Sequence, residues 1–466
     1  MKFIMKPIFG AMALALITAN ATAAETPKED QGGTLTAQVK VHHVVDGKDN
    51  GYDVNSGTAE LFKLKYLSSS VSGAKLGMGF YAVGDLFDQT DVNATSEGRP
   101  GTGLYIVESG NTKPTMHTMV GELYIDYTRE ALNVYGGRMI FDSPLTTSSE
   151  NLLPDFHQVL GANYKINKAF NVGLTQMTKM SIATRGANEF GLTGEGTGTG
   201  GITQSPFAVF RGEFQDISTV ALGTNAEDTN GLTMINASYK PSKKMDVSAW
   251  GYMAHDIYNA LYLEANHVTP IKSKKMKLKL SGQYLTQQAA GDKLATGTNF
   301  DSDDIDFNMF GLKAALGSKK WGAFIAMNQS SGDTGMFNAF SGDPGFTSAQ
   351  FSRNEYRENV TAYKIGGKYK VAPKWTVGGG YANYGQSDTT VTVVPGIGLT
   401  NTANITGVDA VTAQTDATEL DLFVAWKPTK KTMLKLTHAQ RTSEYDGFNG
   451  ADLTMGHTRL IAVANF

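Results

Sequence analysis

Apolar and polar residues alternate through most of the chain in stretches of roughly ten residues, the period-two pattern that is typical of β-strands. The clearest stretches begin near Phe62, Leu123, Phe170, Met276, Ile305, Tyr363 and Leu420. After the first 24 residues, no segment approaches the run of about 18 apolar residues that a membrane-spanning helix needs. The pattern therefore predicts an all-β fold.

The connections between these stretches alternate in length, and only the one near 255–257 departs from the rule. Short turns are expected near 69–71, 128–131, 166–169, 240–244, 269–274, 317–320, 371–374 and 427–431. Long connections are expected near 46–57, 87–114, 141–158, 181–229, 288–303, 331–357, 387–416 and 443–454. A β-sandwich also alternates, but this asymmetry favours a transmembrane antiparallel β-barrel of about 18 strands, with short periplasmic turns and long extracellular loops.

Three of the four Trp residues lie beside lysine-rich turns. They are Trp321, Trp375 and Trp426, whereas Trp250 lies within a strand. In membrane barrels, aromatic rings lie at the interface between lipid and water, and Lys ammonium groups remain in the water beyond it. We therefore expect these three Trp residues to form part of an interface girdle at the periplasmic rim.

The two ends of the chain carry export and assembly signals. Lys2 and Lys6 precede an apolar run, and Ala21-Thr-Ala23 matches a signal-peptidase site, so residues 1–24 are expected to be a signal peptide. Residues 25–466 then form the barrel. The last strand ends on Phe466, which resembles the signal that outer-membrane proteins present to the barrel assembly machinery.

Charge and composition narrow the functional classes. The chain has no Cys, which excludes disulfides, thiolate metal sites and Cys nucleophiles. Without Lys2 and Lys6, 39 basic residues face 44 acidic ones, and 14 of the basic residues are lysines in acid-free short turns. The remaining loops and walls are therefore acidic, which predicts a weak preference for cations. Nucleic acid is not an expected partner, because these lysines are spread over separate turns.

No residue pattern indicates catalysis, a metal or a cofactor. The glycines of 196–201 match a dinucleotide fingerprint formally, but no strand precedes them and no helix follows them. The rings of His42 and His43 point to opposite faces of a strand, so a shared metal ion is not expected. Asp155 and His157 resemble a barrel-enzyme pair only in their spacing. We therefore expect no enzymatic activity.

The connection 141–158 differs from the other long loops because it contains Leu145, Leu152, Leu153 and Phe156. Apolar side chains on a long loop need a surface to pack against. We expect this third loop to fold into the lumen and to narrow it; packing at the outer mouth is the alternative. The predicted pore constriction comprises Asp142, Glu150, Asp155 and His157.

Basic side chains on the inner face are expected to line the lumen opposite this loop. The predicted basic ladder comprises Arg138, Lys179, Lys277, Lys279, Lys364, Lys368, Arg441 and Arg459. Acidic and basic groups that face each other across a pore sort solutes by charge.

About 25 residues around the third loop resemble the OprD family of porins: Gly137-Arg138, Asp142-Ser-Pro144, Leu153-Pro-Asp155 and Gly161. The resemblance implies a monomeric or homotrimeric 18-stranded channel that the third loop constricts. It also implies uptake of small charged nutrients, such as amino acids or organic acids, along an arginine-rich ladder. In this chain the ladder is mostly Lys, a poorer bidentate partner for carboxylate, so strict carboxylate selectivity is not expected.

These patterns predict a porin of the bacterial outer membrane, surrounded by membrane lipid and lipopolysaccharide, through which small hydrophilic solutes and ions diffuse passively. One alternative is a FadL-type channel for hydrophobic substrates. That class needs a hatch domain before the first strand, and only about ten residues separate the expected cleavage site from Thr34. The other alternative is a structural or adhesive barrel whose loops, above all 181–229, bind partners.

Overall fold

A closed antiparallel β-barrel forms most of the molecule. The computed structural model describes residues 32–48, 55–84, 116–146, 152–181, 213–222, 227–293, 305–337, 340, 342–350, 352, 357–386, 390–394, 398–400, 410–445 and 453–466. The prediction of a transmembrane barrel of about 18 strands is confirmed.

The barrel strands, numbered β1 to β18 along the chain, are Thr34–Lys48, Asn55–Leu67, Ala74–Gly84, His117–Arg129, Leu132–Met139, Phe156–Lys165, Phe170–Ser181, Leu232–Ser242, Met245–Ala254, Tyr258–Ile271, Met276–Ala289, Asp306–Gly317, Trp321–Ser331, Thr361–Ala372, Trp375–Tyr384, Ala410–Trp426, Thr432–Tyr445 and Leu453–Asn465. Each strand pairs with its neighbour in sequence, so the topology is a simple meander.

The first and last strands close the sheet on itself. β1 pairs with β18 from Gln38 opposite Asn465 to Lys48 opposite Met455. The backbone N–H of Phe466 donates to the carbonyl of Ala37 at 2.8 Å, which extends the pairing to the last residue. Closure leaves no strand edge for hydrocarbon to cover, which is the condition for a sheet to span a membrane.

The alternation along each strand separates an apolar outer face from a mixed inner face. On β16, Leu420, Leu422 and Val424 are exposed on the outside, whereas Glu419 is buried and Asp421 is half-buried on the inside. The large exposed apolar side chains of β11 to β14 show the same parity, among them Leu280, Leu312, Ile325 and Ile365. Lipid therefore contacts the apolar face, and the polar groups point into the lumen.

The short turns lie at one rim of the barrel, where the first strand begins and the last strand ends. The long connections lie at the other rim. Each predicted short turn occurs within a few residues of its expected position. The connection predicted at 387–416 is shorter than expected, because β16 begins at Ala410 and pairs there with an additional strand, Thr390–Val394. Within the predicted loop 181–229, a short helix, Ile217–Leu222, is buried; residues 182–212 and 223–226 lie outside the described residues.

In the part of the chain that the structure describes, no helix has both the length and the apolar character that crossing a membrane requires.

Candidate functional site

The third loop, between β5 and β6, crosses the interior of the barrel. At its start, Tyr252 on the inner face of β9 donates a hydrogen bond to Ser143 Oγ at 3.1 Å, and Leu145 packs into the same cluster. At its end, Leu152 and Leu153 pack against inner-face residues of β1 to β3, including Leu61. Because its two ends contact distant parts of the wall, the loop lies inside the lumen and not at the outer mouth.

The predicted constriction residues of this loop differ in exposure. Asp142 is exposed, and Glu150 lies outside the described residues. Asp155 and His157 are only 4% and 1% exposed, and the backbone N–H of Phe141 donates to His157 Nδ1 at 3.2 Å. The side chains of Asp155 and His157 are therefore enclosed at the base of the loop.

A second loop, between β13 and β14, also enters the barrel. Gln287 on β11 exchanges two hydrogen bonds with Phe337, through Nε2 to the carbonyl at 2.9 Å and through Oε1 to the N–H at 2.7 Å. Gln283, four residues earlier on the same inner face, donates to the Pro344 carbonyl at 3.0 Å. These side chains satisfy backbone groups that an inserted loop would otherwise bury without partners.

Side chains of β13 to β16 hold the far end of this second loop. The Thr347 N–H donates to Asn328 Oδ1 at 2.8 Å, and the Ser352 N–H donates to Glu419 Oε2 at 2.7 Å. Tyr384 donates to the Thr347 carbonyl at 2.9 Å. From the sequence, this segment was predicted only as the long connection 331–357. Met336, Phe337, Phe340 and Phe346 carry the same signal as the apolar residues of the third loop and would have predicted its insertion.

The two inserted loops meet inside the barrel. Gly342 of the second loop packs against the backbone of Leu145, and a Cβ atom at Gly342 would lie 2.3 Å from Leu145 Cα. Phe340 and Leu145 belong to one buried cluster. The two loops are therefore in direct contact, and any side chain larger than hydrogen at Gly342 would force them apart.

A cavity of about 900 Å³ lies between the second loop and the periplasmic turns. The lysines that line it from the strands are Lys277, Lys279, Lys313, Lys364, Lys368 and Lys435. Among the described residues that line it, Asp421 is the one acid; it accepts from Lys364 Nζ at 3.4 Å and from the Gln350 N–H at 3.2 Å. We call this cavity the lysine chamber.

Four residues of the predicted basic ladder line the lysine chamber: Lys277, Lys279, Lys364 and Lys368. Lys313 and Lys435 also line the chamber but were not predicted from the sequence. Lys313 follows the outward-facing Leu312, and Lys435 precedes the outward-facing Leu436, so the alternation did indicate that both point inward.

Two Phe rings form part of the chamber wall, because glycines leave room for them. A Cβ atom at Gly366 would lie 2.7 Å from the Phe324 ring, and one at Gly378 would lie 2.5 Å from the Phe423 ring. Lys313 Nζ is 4.6 Å from the centre of the Phe324 ring, within the range of a cation–π contact. The chamber thus presents both charged and aromatic surface to a solute.

The other four ladder residues lie outside the chamber. Arg441 and Arg459 point inward from β17 and β18 but are only 2% and 4% exposed, and Arg441 is in register with Glu419. Their burial shows that packed groups, not an open passage, surround them.

Arg138 and Lys179 lie near the long-loop rim, away from the lysine chamber. Arg138 pairs across the strands with Leu123, whose side chain is exposed on the outer face. The Arg138 guanidinium lies 4.3 Å from the centre of the Phe214 ring. Lys179 forms an ion pair with Asp216 at 3.4 Å. A β-bulge between Gln158 and Val159 shifts the alternation there, so strand parity counted from the sequence assigns Lys179 to the wrong face.

The wall opposite the lysine chamber contains a buried carboxylate. Glu122 on β4 accepts from Lys65 Nζ and from Tyr81 Oη, both at 2.5 Å. The Tyr81 ring packs edge-on against Phe156, with ring centres 4.7 Å apart, at the base of the third loop. The cluster of Glu122, Lys65 and Tyr81 therefore supports the position where the third loop returns to the wall.

The three Trp residues of the predicted girdle lie at the short-turn rim. Trp375 and Trp426 stack with ring centres 5.6 Å apart, and Trp321 is in register with the exposed Tyr369. Trp250 packs instead against the buried cluster inside the barrel. In the described parts of the chain, no group of three or more His, Asp or Glu side chains is arranged to hold a metal ion.

Solved structures share this architecture. Pseudomonas aeruginosa OccK9 (OpdG) has 14% sequence identity and a TM-score of 0.66, with 93% of this chain and 98% of that chain covered. Acinetobacter baumannii OccAB4 has 13% identity and a TM-score of 0.67, with 95% and 100% covered. Pseudomonas aeruginosa OpdK, solved with vanillate, has 13% identity and a TM-score of 0.63, with 93% and 98% covered.

Family comparison agrees with the fold. No curated protein matches the sequence. The family model described as outer membrane porin, OprD family, matches residues 211–461, which is more than half of the chain and runs from the buried helix to the last strand. The chain therefore belongs to the OprD family of outer membrane porins.

Proposed function

We propose that this outer membrane porin selects small anionic solutes, which diffuse passively through the lysine chamber. One observation carries the proposal: among the described residues, six strand lysines and a single aspartate line the chamber. A pore lined by groups of one sign raises the local concentration of counter-ions and lowers that of co-ions. Glu264 is a further acid whose charge acts on Lys313, but it is not among the lining residues.

The chemistry of Lys favours selection by charge over selection by shape. An ammonium group is a point charge on a flexible chain, whereas a guanidinium group offers a planar fork for carboxylate. We therefore expect the chamber to accept anions of several shapes. Vanillate in the OpdK structure is in keeping with an organic anion as cargo.

This proposal replaces the weak cation preference that the charge of the whole chain predicted. That expectation gave equal weight to every acidic residue in the loops and walls. Charges in the loops are screened beyond about 8 Å at physiological salt. The chamber lysines lie on the path of the solute itself and so act over much shorter distances.

We further propose that the paired inserted loops form the constriction. The contact between Gly342 and Leu145 supports this, together with the exposed carboxylate of Asp142 on the third loop. Asp155 and His157 then contribute by holding the base of the loop. The function of the pore needs no covalent step, and we infer that the protein is not an enzyme.

The two ends of the chain and the surroundings of the barrel have the roles that the sequence predicts. Residues 1–24 are removed as a signal peptide, and residues 25–466 form the mature barrel in the bacterial outer membrane. Phe466, hydrogen-bonded to Ala37, supports recognition by the barrel assembly machinery. Lipopolysaccharide faces the long-loop rim. Membership of the OprD family disfavours both the FadL-type channel and the adhesive barrel.

Liposome swelling tests the proposed selectivity. We expect a small carboxylate to enter faster than an amine and a neutral polyol of similar size. The K277Q/K279Q variant should reduce the advantage of the carboxylate several-fold, because it removes two chamber charges. The control K243Q/K244Q makes the same change in net charge at an exposed turn outside the chamber and should have little effect. Equal entry of carboxylate and amine into wild-type liposomes would contradict the proposal.

A further inference from the structure

The lysines of the short turns form a second basic surface, at the rim of the barrel. Six consecutive turns, from the one between β6 and β7 to the one between β16 and β17, contain lysines and no acid. Two of these lysines, Lys275 and Lys319, also line the edge of the lysine chamber. The exposed lysines of the six turns are Lys168, Lys240, Lys243, Lys244, Lys272, Lys275, Lys319, Lys320, Lys370, Lys374, Lys427, Lys430 and Lys431. We call this surface the basic arc.

The basic arc covers only part of the rim. The turn between β2 and β3 contains no charged residue, and the turn between β4 and β5 places Glu130 next to Arg129. The acid-free lysine turns therefore form one continuous part of the rim, from β6 to β17, and do not extend around the whole rim.

Exposed aromatic rings on the outer face adjoin the basic arc. Tyr239, Tyr369 and Trp375 are all exposed at the ends of their strands, each next to a lysine of the arc. Lys320 Nζ lies 5.2 Å from the centre of the Tyr369 ring. Trp375 and Trp426, whose rings stack, are adjacent in sequence to Lys374 and Lys427, and the Lys427 N–H donates to the Lys374 carbonyl at 2.9 Å. Ammonium groups thus sit directly beyond the edge of the apolar outer face.

We propose that the basic arc binds anionic phospholipids of the periplasmic leaflet through their phosphate groups. The aromatic rings lie at the depth of the lipid headgroups, and the lysines reach the phosphates beside them. Lysine near an anionic membrane surface strengthens binding by about fivefold per residue. An anionic polymer of the periplasm such as peptidoglycan lies outside the membrane and would not need the exposed aromatic rings beside the lysines, so these rings favour the lipid.

Tryptophan fluorescence measures this binding at the site itself. The barrel, with W250F and W321F substitutions so that only the stacked pair emits, is reconstituted in bilayers of phosphatidylcholine with increasing fractions of brominated phosphatidylglycerol. The quenching curve gives the binding constant of phosphatidylglycerol relative to phosphatidylcholine next to Trp375 and Trp426. We expect this ratio to be several-fold above one at low salt and to fall as salt is added.

Two matched variants distinguish the basic arc from the net charge of the protein. K374Q/K427Q should bring the ratio close to one, whereas K277Q/K279Q removes the same charge from inside the barrel and should leave it unchanged. K430Q/K431Q provides a second rim variant in case the first does not fold. A wild-type ratio of one would overturn the proposal. An unchanged ratio in both rim variants would also overturn it. The same holds if both rim variants lose binding to isolated peptidoglycan while their quenching curves stay at the wild-type value.

Discussion

Glu122 is a carboxylate that is only 1% exposed within a membrane barrel, and its environment explains how it is tolerated. Lys65 supplies an opposite charge, and Tyr81 supplies a neutral donor. A buried carboxylate with both kinds of partner avoids most of the desolvation penalty that an unpartnered charge would bear. Because Tyr81 also packs on Phe156, a local change at Glu122 reaches the base of the third loop.

Replacing Glu122 with Ala should destabilise the barrel by about 2 kcal/mol, because Lys65 and Tyr81 lose their shared acceptor. Lys65 is partly exposed, which limits the loss, since water can solvate its ammonium group. Equilibrium unfolding by urea in lipid vesicles measures the change. The control Glu130→Ala alters an exposed turn residue and should shift the midpoint much less. Equal shifts for the two variants would mean that the buried cluster adds no stability.

Individual lumen residues were predictable from the sequence only where the alternation is regular. Lys277 and Lys279 follow an unbroken strand and line the chamber as expected. The bulge beside Gln158 makes such counting fail for Lys179, because the sequence does not mark where an extra residue enters a strand.

The two inserted loops are the elements that distinguish this barrel from an open cylinder. Their apolar residues pack on the inner wall, and polar side chains of remote strands satisfy their backbone groups. The apolar content of the third loop made its insertion predictable. The contacts of the second loop with Gln287, Asn328 and Glu419 were not predictable, because they join residues that only the closed sheet brings together.

The contact between the loops provides a test at this scale. Gly342→Val should push the loops apart and raise the single-channel conductance, since the new side chain would overlap the backbone of Leu145. The control Gly251→Val introduces the same change on β9, where no atom lies within 4 Å of the new Cβ. Conductance in planar bilayers compares the two. If Gly342→Val leaves the conductance at the wild-type value, the contact is not part of the constriction.

At the scale of the whole molecule, strand count and orientation follow from physical requirements that the sequence displays. Every backbone group in hydrocarbon must be paired, so the strands must close into a barrel. In such barrels the short turns lie at the periplasmic rim and the long loops at the extracellular rim. The sequence did not display which charges meet inside the closed barrel. Lysines on strands β11 to β17 face one chamber, although the net charge of the chain is negative.

The reversal potential of the reconstituted wild-type channel in a KCl gradient tests this account most directly. A lumen governed by the lysine chamber should give a potential with the sign of chloride selectivity, because chloride then carries the larger share of the current. The K277Q/K279Q variant should bring this potential toward zero. A wild-type potential with the sign of potassium selectivity would contradict the account, since it would mean that the acidic loops, not the lysine chamber, control the passage of ions.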